Sequence, residues 1–393
     1  MKFIPDELRS EIETRVEKVR EEMRGAGLDA VLVAMPSNVY YLTGRVYHGY
    51  VYVSREGSPV WLVIKPSVFD ADGDVRLIRK PELIPDVLGE LGRPLPESIG
   101  LEFQDMAYSD VMRLKKVFSG CRFGDASQVL LRARMVKTAY EIDKMRRDGM
   151  HQAAVYRRIT HCYQEDMTDV EFQIEIERVL RREGCLGCIR TRGARMEINL
   201  GSVIYGPNAD VPSPYDFTMG GAGTDPSLPV GADGSIMRPG HTVMVDMNGT
   251  FNGYQTDMTR VWRIGDIPHD AQRAHDCSRH ILRELEAMGR PGVKVSALYE
   301  KAMEIVRAEG LEENFMGHLS RAPFIGHGVG IQLNEPPVVN SRCADELKAG
   351  MTIALEPKFV IPEVGAVGVE NTYEVTPEGL RTLTEFPEEI EEL

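Results

Sequence analysis

Two segments of this chain, read as hairpins, each bring a pair of acidic side chains together, and no other feature of the sequence constrains the fold as strongly. In VDMNGTFNGYQTDMTR (Val245 to Arg260), apolar and polar residues alternate on both sides of Asn252-Gly253, a dipeptide that suits a two-residue loop because both positions tolerate positive φ. With those residues as the loop, Asp246 opposes Thr259 and Asp257 opposes Asn248, so the two aspartates are diagonal neighbours on one face. With the loop shifted to Phe251-Asn252, they become direct partners. LEPKFVIPEVGAVGVEN (Leu355 to Asn371) repeats the device around a loop at Ile361 to Gly365, where Val360 pairs with Ala366 and Glu356 falls opposite Glu370. One such pair would pass for solvated strand carboxylates with lysine or arginine partners. Two pairs in coincident register point to a cation between them, because close carboxylates otherwise repel.

A histidine completes the set. His327 lies in Gly326-His327-Gly328-Val329-Gly330, where glycines let the backbone pass close to a neighbour and leave the imidazole uncrowded. One nitrogen among carboxylate oxygens suits Mn²⁺ or Co²⁺, with Zn²⁺ or Fe²⁺ also accommodated. Four carboxylates would neutralise two divalent ions, whose bridging water could then supply hydroxide at neutral pH. The GxGxG spelling does not make a dinucleotide site, since no strand, helix start and ribose-binding acid follow at the required spacing.

These residues and their surroundings resemble the pita-bread metallopeptidases, the family of methionine aminopeptidase, aminopeptidase P and prolidase. The family pattern has an aspartate, a second aspartate in a GY-x-x-D-x-T-R context, a GHG histidine, a glutamate in an E-P segment and a last glutamate. Here these are Asp246, Asp257 within Gly253 to Arg260, His327, Glu356-Pro357 and Glu370. The resemblance implies a dinuclear hydrolase of the Xaa-Pro peptidase type, in which Asp246, Asp257, His327, Glu356 and Glu370 bind metal and Glu356 and His327 are catalytic, Glu356 as general base. It also implies a homodimer. Tyr254, His318, Asn334 and Lys358 are candidates for contact with a short peptide or small amino-acid-like substrate.

The likeness extends to the N-terminal part, where a charged amphipathic helix precedes the strand Ala30-Val31-Leu32-Val33 and then Asn38 to Gly44. This is similar to the N-terminal domain of creatinase, prolidase and aminopeptidase P. The expected organisation is a creatinase/prolidase-like α/β domain over residues 1–131 and an α+β, pseudo-twofold pita-bread catalytic domain over 132–393, with a helix beginning near Met135 to Ile142. Thr168 with Glu171 reads as a capping box for a helix stopping at Gly184, and Ser296 as the cap of a helix ending at Gly310.

Composition narrows the partners. A net charge of −14 with no basic cluster argues against nucleic acid and anionic membranes. No apolar stretch approaches membrane-spanning length and MKFIPDELRS lacks a signal-peptide core, so a cytoplasmic location is expected. The six cysteines fit that location. Cys185 and Cys188 form a lone CxxC without zinc-finger spacing, read as reduced and partly buried. His275 and His280, among Arg273, Asp276 and Arg279, read as lying on a solvated helix.

The departures from the family pattern concern substrate. Prolidase-type peptidases carry a histidine seven positions after the GHG histidine, and this chain has Asn334, which donates a hydrogen bond but carries no proton charge. Ser213 stands where another family histidine is expected. Lys358 replaces a glycine, Gly368 an arginine that helps recognise the substrate carboxylate, and Asn371 an aspartate. These changes leave open a non-peptide C–N or related bond as the target. A catalytically dead binding protein is the remaining alternative, opposed by retention of all five ligand types. The Gly- and Pro-rich stretch from Gly201 to Gly240 reads either as a surface excursion or as a lid or partner-subunit contact reshaping the cleft.

Overall fold

A computed structural model of the chain describes residues 4–67, 73–193 and 196–393, which divide into two compact units, Met1–Arg134 and Met135–Leu393. In the first, helix α1 (Arg9–Gly25) presents Ile12, Val16, Val19 and Met23, a stripe at helical spacing, as its buried face. Strands β1 (Ala30–Val33), β2 (His48–Ser54), β3 (Val60–Lys65), β4 (Val75–Leu77), β5 (Ser98–Leu101) and β6 (Arg122–Asp125) form one mixed sheet in the order β4-β3-β2-β1-β5-β6. The apolar run predicted as a strand is β1, one of the two central strands, buried at every residue. Helices α2 (Pro36–Tyr41), α3 (Ile84–Glu90) and α4 (Tyr108–Val117) connect the strands, and α5 (Ser127–Met135) leads out.

The second unit repeats one order of elements. Helices α6 (Ala139–Tyr156) and α7 (Asp169–Glu183) precede strands β7 (Gly201–Tyr205), β8 (His241–Met247) and β9 (Thr259–Ile264). Helices α8 (His269–Met288) and α9 (Val295–Glu309) then precede β10 (Gly326–Gly328), β11 (Glu335–Val338), β12 (Thr352–Leu355), β13 (Lys358–Ile361), β14 (Gly365–Gly368), β15 (Asn371–Thr376), β16 (Gly379–Thr382) and β17 (Glu391–Glu392). One core joins Phe172, Ile176 and Leu180 of α7 to Val203, Val243, Val245 and Trp262 of the first sheet. A second joins Ile281, Leu285, Leu298 and Val306 of α8 and α9 to Ile353, Phe359, Val367 and Tyr373. Two helices over antiparallel strands, twice, give the pseudo-twofold α+β architecture.

Local signals account for some of the helix ends. Thr168 and Glu171 form the expected capping box, and Gly184 ends α7 at φ +108°. The helix predicted near Met135 to Ile142 is α6, opened by a second box of Thr138 and Glu141. Ser296 is not a cap: α9 begins at Val295, whose N–H bonds the Asp345 carbonyl at 2.9 Å, so the helix start is satisfied by backbone instead of a hydroxyl. The Gly201 to Gly240 stretch is also not a loop throughout, since β7 pairs along β8, with Ser202 opposite Asp246. Among the described residues, no helix is long and apolar enough to cross a membrane.

Candidate metal centre and cleft

Of the two registers available to the first hairpin, the structure adopts the one closed at Asn252-Gly253. Asp246 pairs with Thr259, and the isolated bridge Gly249–Thr256 continues the same register toward Gly253 at φ +91°. The hairpin tip is held on α6, where Asp148 accepts the Phe251 N–H at 3.3 Å and Asn252 Nδ2 donates to the Lys144 carbonyl at 2.8 Å.

The second hairpin also keeps its expected register but divides between two sheets. Val360 pairs with Ala366 and Lys358 with Gly368 in β13–β14, while Leu355 pairs with Asn371 in β12–β15. Glu356 and Glu370 sit at the break, where Pro357 has no N–H to continue the ladder. The two hairpins are then stitched together. Thr259 and Glu370 exchange backbone bonds at 3.3 and 3.2 Å, and Asp257 N–H donates to Thr372 Oγ1 at 2.8 Å. Buried Arg260 donates to the Thr259 and Glu370 carbonyls, both at 2.8 Å, and to Asn371 Oδ1 at 2.8 Å. The threonine and arginine of the T-R motif therefore fix the distance between hairpins.

This stitching brings together all five of the sequence-predicted ligand residues. His327 Nε2 lies 3.6 Å from Asp257 Oδ2 and 3.7 Å from Glu356 Oε1. Its Nδ1 faces the Gly328 carbonyl at 3.1 Å, which can only accept, so Nδ1 carries the proton and Nε2 offers its lone pair. Asp257, His327 and Glu370 each present a ligand atom within 4.8 Å of the others. Asp257 Oδ1 and Glu370 Oε1 are buried with no hydrogen-bond partner, an arrangement that is costly unless a cation satisfies it. Burial, reinforced by Glu370 and Asp246, pushes the Asp257 carboxyl well above its ordinary range. Burial and the Glu356 charge likewise raise Glu370. These groups therefore fit a divalent ion on the His327 side.

The opposite side is different. Lys358 is fully buried, and its ammonium donates to Asp246 Oδ2 at 2.9 Å, Glu356 Oε2 at 2.8 Å and Glu370 Oε2 at 2.9 Å. Burial works against its charge, but Asp246, Glu356 and Glu370 outweigh burial and hold the pKa well above the ordinary lysine value. Thr218, from the Gly201 to Gly240 stretch, donates its hydroxyl to Glu356 Oε2 at 2.7 Å and lies 3.2 Å from Lys358 Nζ. Sequence reasoning missed Thr218, since nothing in its neighbourhood signals a contact with a residue 138 positions away.

A Metallopeptidase family M24 model matches residues 143–377, and a Creatinase/Prolidase N-terminal domain model matches residues 15–136. The chain belongs to metallopeptidase family M24. This M24 chain is 26% identical to a Xaa-Pro dipeptidase of Pyrococcus furiosus, over 96% of its own length and 99% of the relative's. Its fold matches that of a Xaa-Pro dipeptidase from Bacillus anthracis with a TM-score of 0.80 at 20% identity, covering 97% of this chain and 100% of the other. An X-Pro aminopeptidase from Thermotoga maritima matches with a TM-score of 0.78 at 19% identity, covering 95% and 100%.

In this M24 metallopeptidase, Asp246, Asp257, His327 and Glu356 line a cleft of about 800 Å³ whose walls include Tyr215, Phe217, Phe324 and Leu333. The four candidate substrate residues are placed unevenly. Asn334 lines the cleft, but its amide is engaged with the wall, accepting the Arg192 N–H at 2.6 Å and donating to the Arg192 carbonyl at 3.1 Å and to Met196 Sδ at 3.6 Å. Tyr254 is not a cleft residue: it is buried, and its hydroxyl donates to Glu141 Oε1 at 2.8 Å in the α6 capping box. His318 does not line the cleft either, because Asp210 Oδ2 draws its Nδ1 to 2.7 Å. Lys358, read as a charge for substrate, is buried among the carboxylates instead. Ser213 turns to the Pro229 carbonyl at 3.4 Å. His327 is thus the one histidine among the described residues that line the cleft. The CxxC pair holds no disulfide, with Cys185 buried and Cys188 exposed.

Proposed function

We propose that this protein hydrolyses short peptides at a bond preceding proline, using a divalent ion held by Asp257, His327 and Glu370, with Glu356 as the base. The observation that carries the reading is the pair of buried, partnerless oxygens, Asp257 Oδ1 and Glu370 Oε1, beside the Nε2 lone pair of His327 in one cleft. The names of the relatives, Xaa-Pro dipeptidase and X-Pro aminopeptidase, support the substrate class. When bound, such an ion polarises a carbonyl and lowers the pKa of water toward neutrality. His327 is oriented for its part by the Gly328 carbonyl. Glu356, read from the sequence as both ligand and base, has Oε2 occupied by Thr218 and Lys358, so its one remaining oxygen, Oε1, is assigned to the base that would take up the water proton and return it to the leaving amine. Phe217, Phe324 and Leu333 exclude water and seat apolar side chains. Manganese or cobalt suits carboxylates with one imidazole. A cytoplasmic homodimer accompanies the reading on the resemblance to the prolidase branch.

A second reading, a small amino-acid-like substrate with a non-peptide C–N bond, is favoured by one observation: the Asn334 amide is spent on Arg192, and position 368 offers no side chain to a substrate carboxylate. A panel of Xaa-Pro dipeptides and longer Xaa-Pro peptides, given to enzyme loaded with Mn²⁺ or Co²⁺, separates the two. Cleavage supports the first reading, and failure on every member favours the second. Peptidase activity should vanish on exhaustive chelation and return with the ion; an enzyme fully active without metal would sink the first reading.

A further inference from the structure

Each of the two glutamates is divided between two surroundings. Glu356 Oε2 and Glu370 Oε2 point to the Lys358 ammonium, while Glu356 Oε1 lies 3.7 Å from His327 Nε2 and Glu370 Oε1 is buried without a partner. An ammonium has three protons. Asp246, Glu356 and Glu370 take one each at 2.9, 2.8 and 2.9 Å, the lengths of charge-assisted bonds. The Thr218 oxygen, whose own proton goes to Glu356, accepts from the same ammonium at a longer 3.2 Å, sharing one of its protons. A second divalent ion in this space would need those same three oxygens and would stand against a fixed positive charge.

We propose that Lys358 occupies the second cation position, making this a single-ion hydrolase in which the protein itself supplies one of the two cations set among the four clustered carboxylates. This rests on the metal-dependent reading above. An ammonium holds carboxylates in place as an ion does, but it has no open coordination position. Water activation and carbonyl polarisation would therefore be supplied by a single ion held on the His327 side, and Asp246 is assigned to the lysine in place of a metal.

The test counts ions. Full-length protein equilibrated with excess Mn²⁺ and then freed of unbound metal should carry one Mn²⁺ per chain by elemental analysis, with a paramagnetic resonance spectrum of an isolated ion. Lys358→Gly, which removes the ammonium and opens its space, should carry two, with the signature of an exchange-coupled pair. Two ions per chain in the wild-type protein overturn the proposal while leaving metal dependence intact. A folded Lys358→Gly protein that still binds one ion also overturns it, since something other than the lysine would then close the second position. No ion in either protein overturns the metal-dependent reading as well. The wild-type count and spectrum decide the matter even where the variant does not fold.

Discussion

Lys358 and Gly368 are direct cross-strand partners in the β13–β14 hairpin, and a Cβ at position 368 would lie 2.8 Å from Lys358 Cα and 2.7 Å from the Pro357 carbonyl oxygen. The buried lysine and its facing glycine are therefore one feature. Gly368 also sits at φ +138°, where a side chain is strained. Gly368→Ala should destabilise the protein by roughly 1 to 3 kcal/mol through overpacking against backbone that cannot yield. Thermal unfolding checks this, and an unchanged melting temperature would show that the hairpin opens more easily than these contacts allow.

Stability should also depend on Asp148, which is wholly buried on α6, accepts the Phe251 N–H and has its other oxygen unpartnered. Burial pushes its pKa up to about 7, opposed by the Phe251 bond, the Lys144 charge and the Asn252 bond. The folded pKa thus exceeds the unfolded one, so the folded chain holds this proton more tightly. The contribution is complete below about pH 4 and is lost as pH rises through about 7. Asp148→Asn removes the charge but keeps an acceptor for Phe251, and should raise the melting temperature at pH 8 more than at pH 5. Equal shifts at both pH values would contradict this account.

Hairpin register was legible because the side-chain period of two, together with Asn252-Gly253 and the Pro362 to Gly365 loop, leaves few ways to close each strand pair. The five candidate ligands followed from that register and from short motifs. What periodicity does not carry is the identity of whatever covers a given face. His275 reads as solvated from Arg273, Asp276 and Arg279, yet its ring lies on the inner face of α8, with Nε2 2.6 Å from the Glu388 carbonyl and a pKa lowered by burial to about 4. The direction of Lys358 was equally hidden, since alternation alone does not say that Asp246 and Thr218, over 100 positions away, meet its tip.

Asn334 is a clamp on the cleft wall. Its two bonds to Arg192 continue a ladder in which Leu333 N–H donates to the Arg190 carbonyl at 2.8 Å and Gln332 Nε2 to the Thr191 carbonyl at 3.0 Å. Asn334→Ala should loosen residues 190–192, raising KM more than it lowers kcat and exposing this stretch to limited proteolysis, with bound metal unchanged. A fall in kcat at constant KM and unaltered proteolysis would instead give Asn334 a direct part in the chemistry.

Asp246 separates the single-ion arrangement from a two-ion one. Its Oδ2 is bonded to Lys358, and its side chain, 21% exposed, is the least buried of the cluster's carboxylates. Asp246→Asn keeps an oxygen for the ammonium but weakens a charge-assisted bond, a loss of about 1 to 3 kcal/mol. The melting temperature should therefore fall while the Mn²⁺ count stays at one per chain with little change in affinity. Asp257→Asn, which alters a ligand beside His327 Nε2, should weaken Mn²⁺ binding by at least tenfold. If both variants lose an ion equally while remaining folded, Asp246 coordinates metal and Lys358 does not stand in its place.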